Sequence, residues 1–480
     1  MGRGSLRRAT LAAGLLWASP LLWAQSITRP RALADLDTLR RILESNAAYL
    51  AVNSYNYRGH LDSIGRSLPD SLGLLDFHYA IQSLVGRLQD AHSNVVAPPG
   101  VTPSDPRELP FATAIHAGRV VALGGADSGL LVTHYPYVTA INGIAIERLL
   151  TIAGARYRGH SRQRYLFRAS RDLRQIALVL TRAGAAVGES LAVRLTNAQG
   201  RDTTVFKRLV TRQPPRPAIT TTTTMLADSI AYLRVPLMWD KDDPGGAVHY
   251  DMMRAAMESR DFRTSRALII DVRDNDGGAR HELEYLAPYF MKGPLAYNAA
   301  FPVRDTAELG LRSLTLPNDP RLDSATRRVA MAFAQSFRPA WSPTGVPFLD
   351  QLYVAVLADR ETPHDYSTRP VVVLMDERSF SATDIFLGAM TELPNVTLLG
   401  TPSGGGSGRS RAYTLPNSRI RVILSTMASF RVNGKLYDGY GIEPDIVAPP
   451  SLSDVTGRTD SQLQAAMDHI RKVLRSARPN

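Results

Sequence analysis

The chain has 480 residues, 44% hydrophobic and 21% charged, enough for two or three domains and a sizeable core. It carries no cysteine, which excludes disulfides, thiol nucleophiles, thiolate metal sites and an acylated lipoprotein anchor. Net charge is +12, and the basic excess is almost all arginine, with lysine only at Lys207, Lys241, Lys292, Lys435 and Lys472; the arginines are scattered, which reads as a solvated basic face and argues against nucleic-acid binding.

Taken in chain order, residues 1–24 read as a signal peptide. Arg3, Arg7 and Arg8 precede the short apolar run "TLAAGLLWASPLLWA", which ends at a small residue, Ala24. The run is too short for a membrane anchor and Pro20 interrupts it, so an exported protein, periplasmic or extracellular, is expected, without an integral membrane span. Residues 27–100 form an expected helical region, because "LADLDTLRRILESNAAYL" and "LLDFHYAIQSLVGRLQDAH" space apolar residues by three and four. The proline-rich stretch at 97–110 reads as a linker.

Residues 110–211 change to short β-like runs separated by Gly and Asx residues, with "VTAINGIAIERLL" reading as strand, Asn-Gly turn, strand and helix start. A Pro- and Thr-rich linker follows at 212–224. From 225 to 450 the pattern is α/β: "ALIID" and "VVVLM" are continuous apolar strands, each followed by a loop and a helical segment, as in a sheet buried on both faces. Residues 293–368 fit this pattern less well and read as an insertion or lid. A C-terminal helix occupies 451–480.

Five short stretches carry chemistry. "SFSATDIF" places Ser381 between a buried strand and a helix. Ser381-Ala-Thr-Asp384 matches a capping box, which accounts for the serine without any reactivity. The same corner suits a nucleophile, since unsatisfied backbone N–H groups at a helix start stabilise an oxyanion. "DVRDNDGG" follows another buried strand, and Gly277 and Gly278 let backbone approach a substrate. A calcium loop fails on register, because Gly277 at the sixth position puts Val272 and Leu283 at the first and twelfth. "GTPSGGGSG" has P-loop spacing, but Gly406 stands where lysine is required, and strand-like residues follow it. In "LQDAHSNV", His92 is a candidate base, in competition with His281 and His364. In "YDGYGIEPDI", Asp438 is either turn chemistry or the acid that orients a histidine.

In this order, the five stretches resemble the tail-specific, or C-terminal-processing, serine proteases, in the branch of the tricorn core protease and the interphotoreceptor retinoid-binding protein. The resemblance covers most of 30–450. It implies an α/β fold with a ClpP/crotonase-like core, an N-terminal helical region and a PDZ-like module between them. It implies Ser381 as nucleophile, with Gly277, Gly278 and Ala382 N–H groups as the oxyanion hole. The tail-specific branch takes its base from a lysine at the position of Gly406, so a Ser–Lys dyad of that kind is absent here. The tricorn-like branch implies His92 as base and Asp438 as its acid, although Ala91 and an Asp in place of Glu depart from its pattern. The expectation is an exported serine endopeptidase that hydrolyses polypeptides through a Ser–His–Asp arrangement, with no metal and no cofactor. The competing expectation is a non-catalytic binder of peptides or hydrophobic ligands on the same fold.

Overall fold

The computed structural model describes residues 26–476 except 104, 125–128, 212–219, 305–312, 344–346 and 359–365. The expected signal peptide, most of the second linker and His364 lie outside these residues. Among the described residues no helix is long and apolar enough to cross a membrane.

The N-terminal region is helical, as its periodicity predicts: α1 is Arg29–Asn46, α2 Tyr57–Ser67 and α3 Leu74–Val85. Leu36, Leu39 and Leu43 of α1 pack with Leu61, Ile64, Phe77, Ile81 and Leu84. A short strand, β1 (Asn94–Val96), follows α3.

The next unit holds β2 (Ala112–His116), β3 (Arg119–Leu123), β4 (Tyr137–Ile141), β5 (Ser190–Thr196) and β6 (Asp202–Arg208), an antiparallel sheet in that order. The strand-turn-strand-helix reading of 138–150 is what the structure has: Asn142 and Gly143 turn with φ of 49° and 76°, and α4 (Ile146–Ala153) follows. Two further helices, α5 (Arg162–Asp172) and α6 (Ile176–Arg182), were not legible as such. The surface of α5 is arginine-rich and α6 opens with a run of five apolar residues, so neither presents a clear helical stripe.

The third unit is built on a six-stranded sheet. Its strands are β7 (Thr222–Leu226), β8 (Ile230–Arg234), β9 (Ala267–Asp271), β12 (Val371–Met375), β13 (Val396–Gly400) and β17 (Ile446–Val447), adjacent in that order. The first pairs antiparallel and the rest parallel. The all-apolar strands are explained by burial on both sides. Leu268, Ile270, Val371 and Val373 face α7 (Ala382–Met390), while Ala267, Ile269, Val372 and Leu374 pack on Ala466 and Ile470 of the C-terminal helix α8 (Ser461–Ser476).

The expected ClpP/crotonase-like core is corrected here. The parallel sheet is one of five among the described residues, and the others are antiparallel. The segment expected as a lid supplies β10 (Leu295–Pro302) and β11 (Tyr353–Leu357), which form a three-stranded sheet with β16 (Met427–Phe430). After β13 the chain runs into a hairpin, β14 (Ser410–Thr414) and β15 (Arg421–Ser425), rather than another crossover helix. The free edge of β15 then takes β1, with Val95 opposite Val422. The result is an α/β fold with several antiparallel sheets, in which the N-terminal region is hydrogen-bonded to the core.

Candidate active site

Three of the five stretches leave the C-terminal ends of three adjacent parallel strands, β9, β12 and β13. Parallel strands deliver the loops that follow them to one sheet edge, and ligands bind there in open α/β sheets. "DVRDNDGG", "SFSATDIF" and "GTPSGGGSG" therefore converge, although 129 residues separate Asp271 from Gly400.

Ser381 begins α7 with φ 62° and ψ −118°, a conformation that non-glycine residues rarely hold. The surroundings over-determine it. The capping box forms, with Asp384 Oδ2 accepting Ser381 N–H at 3.0 Å. Phe380 N–H donates to Asn275 O at 2.9 Å. A Cβ on Gly277 would lie 2.6 Å from Ser381 Cβ, and one on Gly278 would lie 1.9 Å from Met238 O, so both glycines are required by close approach. Cap and nucleophile are thus compatible roles: the hydroxyl oxygen lies 2.8 Å from His92 Nε2, across 289 positions of sequence.

His92 is placed by Asp90. Asp90 accepts His92 N–H at 2.8 Å and the Ser425 hydroxyl at 2.7 Å, and it also takes the Ser93 hydroxyl, which locks the turn before β1 onto the end of β15. Burial pushes the His92 imidazolium down to a pKa of about 4, with nearby Arg164 acting in the same direction and Asp90 opposing it. The ring is therefore neutral above that pH and able to accept a proton. Of the competing histidines, His281 is engaged elsewhere, accepting Lys241 N–H at 3.0 Å.

The expected oxyanion donors divide. Gly277 N–H donates to Asn275 Oδ1 at 2.9 Å. Among the described residues, Gly278 N–H and Ala382 N–H have no protein acceptor, and both residues line a cleft of about 260 Å³ with Ser381, Ile385, Leu314, Ser407 and Met427. The acids of "DVRDNDGG" are not pooled for a cation. Asp271 takes Tyr232, Arg234 and Arg273, Asp274 pairs with Arg378, and Asp276 pairs with Arg164.

Asp438 is fully buried, but its Oδ2 accepts from Tyr49 Oη at 2.7 Å and from Ser407 N–H at 3.2 Å. Its Oδ1 and the Nδ1 of His92 have no protein partner among the described residues. Burial also holds the carboxyl well above its usual range, toward the neutral form.

Several contributors carry little local signal. Asp384 reads as a cap residue, yet it also accepts Gly405 N–H and Gly406 N–H at 3.2 and 2.9 Å, and the Ser403 hydroxyl, clamping the Gly-rich loop beside Ser381. Arg164 of α5 is buried, pairs with Asp276 at 2.7 Å and lies 3.9 Å from the Phe380 ring centre. A buried cation over an aromatic face contributes up to about 2 kcal/mol. Its neighbour Ser161 donates to Gly404 O at 2.7 Å, and Gln163 donates to Ser403 O at the same distance, so the middle unit grips the same loop.

A strained serine at a strand-to-helix corner, a histidine on its hydroxyl and free N–H groups beside both can perform acyl transfer. Residues 229–448 match the model of peptidase family S41. This segment, a little under half of the chain, is similar to peptidase family S41. Two solved structures share the fold over nearly the whole chain. Mature CPAF complexed with lactacystin is 16% identical over 93% of this chain and 97% of that one, with a TM-score of 0.61. Mature CPAF alone is 16% identical, with a TM-score of 0.61 over 93% and 96% of the two chains. The tricorn protease is 13% identical over 93% of this chain and 37% of its own, with a TM-score of 0.40. The protein is a serine peptidase, and an S41-type α/β arrangement replaces the crotonase-like description.

The expected Ser–His–Asp triad is overturned on two grounds. The S41 arrangement is a Ser–Lys dyad rather than a triad, and here the acid is not hydrogen-bonded to the imidazole. Among the described residues no lysine lines the cleft either, and the side-chain contact to Ser381 Oγ comes from His92. In a working triad, converting the acid to its amide costs roughly 10⁴ in turnover. Asp438→Asn is expected to change kcat/KM by less than about tenfold, because the carboxyl does not bond the imidazole and the amide keeps an oxygen for Tyr49. Steady-state hydrolysis of one reporter peptide decides this; a loss of several thousandfold would restore the acid to the mechanism.

Proposed function

We propose that the protein hydrolyses polypeptides with a Ser381–His92 pair. Ser381 Oγ attacks the peptide carbonyl while its proton passes to His92 Nε2. The imidazolium returns that proton to the leaving amine as the C–N bond breaks. Water then repeats the cycle on the acyl-enzyme, releasing the carboxylic acid and regenerating both side chains. Gly278 and Ala382 N–H groups receive the oxyanion. What carries the reading is the 2.8 Å contact between Ser381 Oγ and His92 Nε2 at a strained corner.

The test is digestion of an unfolded polypeptide, read by mass spectrometry, with the wild type beside Ser381→Ala. Loss of roughly 10⁴-fold or more in Ser381→Ala is expected. Undiminished cleavage in that variant would reduce Ser381 to a helix cap. The pH profile adds a second check. An imidazole at its ordinary value of about 6.5 would be roughly nine-tenths protonated at pH 5.5. With His92 held at about 4, activity at pH 5.5 persists, and the acid limb of kcat/KM falls below pH 5. Asp384, pushed by burial up to about 7, titrates at higher pH than His92, and Asp384→Asn separates the two contributions.

A further inference from the structure

A histidine base ordinarily has its ring orientation set by an acid on Nδ1, and here no protein group occupies that position among the described residues. We propose that Phe380 is the positioning residue for His92, holding the imidazole plane by stacking so that Nε2 stays on Ser381 Oγ. This rests on the reading of His92 as the base.

The two rings are stacked, with centroids 4.7 Å apart and planes inclined by 23°. Phe380 is the residue immediately before the nucleophile, so one corner of backbone places both the hydroxyl and the surface that orients its base. That corner is rigid. Phe380 is 7% exposed, its N–H donates to Asn275 O at 2.9 Å, and its carbonyl accepts Thr383 N–H at 3.1 Å. Its ring is fixed in turn by Arg164, which is tied to Asp276 at 2.7 Å and to Arg378 O at 3.3 Å.

The Gly-rich stretch that fails as a phosphate loop has its explanation here. A Cβ on Gly406 would lie 2.3 Å from Phe380 Cε2 and 3.1 Å from His92 Cε1, and one on Gly404 would lie 3.1 Å from Phe380 Cδ2. The space that side chains at 404 and 406 would fill is taken by the ring stack. The backbone of His92 is held separately by Asp90, so its main chain and its ring have different anchors. An acid restrains an imidazole by direction and charge, whereas a stacked ring restrains its plane and leaves the charge unsupported. This fits a base that works from the neutral form.

The experiment compares Phe380→Leu, which keeps apolar bulk without a ring, with Phe380→Tyr, which keeps the ring; melting curves check that both fold. In Phe380→Leu, kcat falls about 10- to 100-fold with KM within about threefold, while Phe380→Tyr keeps at least about a third of wild-type kcat. In a His92→Ala background, Phe380→Leu has no further effect on kcat, as expected for a residue that acts through the base. A second readout needs no turnover. The carbon-bound protons of the His92 ring, assigned by their loss in His92→Ala, resonate upfield from the stacked ring and move downfield in Phe380→Leu but not in Phe380→Tyr. Full activity in Phe380→Leu, an equal loss in the His92→Ala background, or an unmoved His92 resonance would each overturn the proposal. Full activity in His92→Ala alone would instead remove the base assignment, and the resonance would still decide whether the stack orients the ring.

Discussion

His92→Ala lowers kcat/KM for peptide hydrolysis by roughly 10³- to 10⁶-fold, and adding Ser381→Ala to it costs almost nothing more. A nucleophile and its base act as a unit: without a proton acceptor the hydroxyl is a weak nucleophile, and without the hydroxyl the acceptor has no substrate proton to take. The 2.8 Å contact makes this pair the place where that non-additivity is expected. The alternative bases are weak. His281 is held on the Lys241 amide, and among the described residues no lysine lines the cleft. Kinetics of the two single variants and the double variant on one peptide settle it. Multiplying losses, or a His92→Ala enzyme within about tenfold of wild type, would mean that Ser381 is deprotonated by another group.

Gly406→Lys inactivates the enzyme rather than converting it to the usual S41 dyad. The family resemblance implies the dyad lysine of the tail-specific branch at Gly406, so writing the lysine back is the obvious attempt at interconversion. In this structure it has no room. The first side-chain atom would sit 2.3 Å from Phe380 Cε2 and 3.1 Å from His92 Cε1. The loop cannot withdraw freely, because Gly406 N–H and Gly405 N–H are both held by the buried Asp384 carboxyl. Overpacking of this kind costs about 1–3 kcal/mol, and the flexible part of the clash is the stack that holds the base. The expected result is a drop of more than about 100-fold in kcat/KM together with a lower melting temperature. Activity equal to wild type, or rescue of His92→Ala by Gly406→Lys, would show that the base is interchangeable at this site and that the ring stack is dispensable.

The two base choices therefore exclude one another sterically. A lysine at 406 needs the volume that His92 and Phe380 occupy, and the glycine leaves that volume open. This is a physical reason for the absence of lysine from "GTPSGGGSG", and it could not be read from that stretch alone, where the same glycines equally describe a flexible hairpin.

Much of the architecture was legible because it rests on short-range pattern. "ALIID" and "VVVLM" are apolar at every position up to Asp271 because both faces of their sheet are covered, and α1 and α3 show the spacing of helices with one buried side. Ser381 at a strand-to-helix corner and His92 ahead of a short strand could be singled out for the same reason: local chemistry at an element boundary is visible in a few residues. The hairpin that turns away from a crotonase-like core was less visible, since β14 and β15 read as strands without revealing which sheet they enter.

The sequence by itself determined the buried strands of the parallel sheet, the helices α1, α3, α7 and α8, and the residue types able to attack and to accept a proton. Only the tertiary structure decided which of them meet. Asp438 looked like the orienting acid, but Tyr49 and Ser407 hold its bonded oxygen and burial favours its neutral form. Asp384 looked like a cap and also clamps a loop some 20 residues away. Arg164, in an arginine-rich helix with nothing local to distinguish it, supports the ring beneath the base. Periodicity reports which face of an element is buried, over a few residues. Hydrogen bonds, ring stacks and the pKa of a buried carboxyl depend on which side chains arrive within a few ångströms from hundreds of positions away, and no local pattern carries that information.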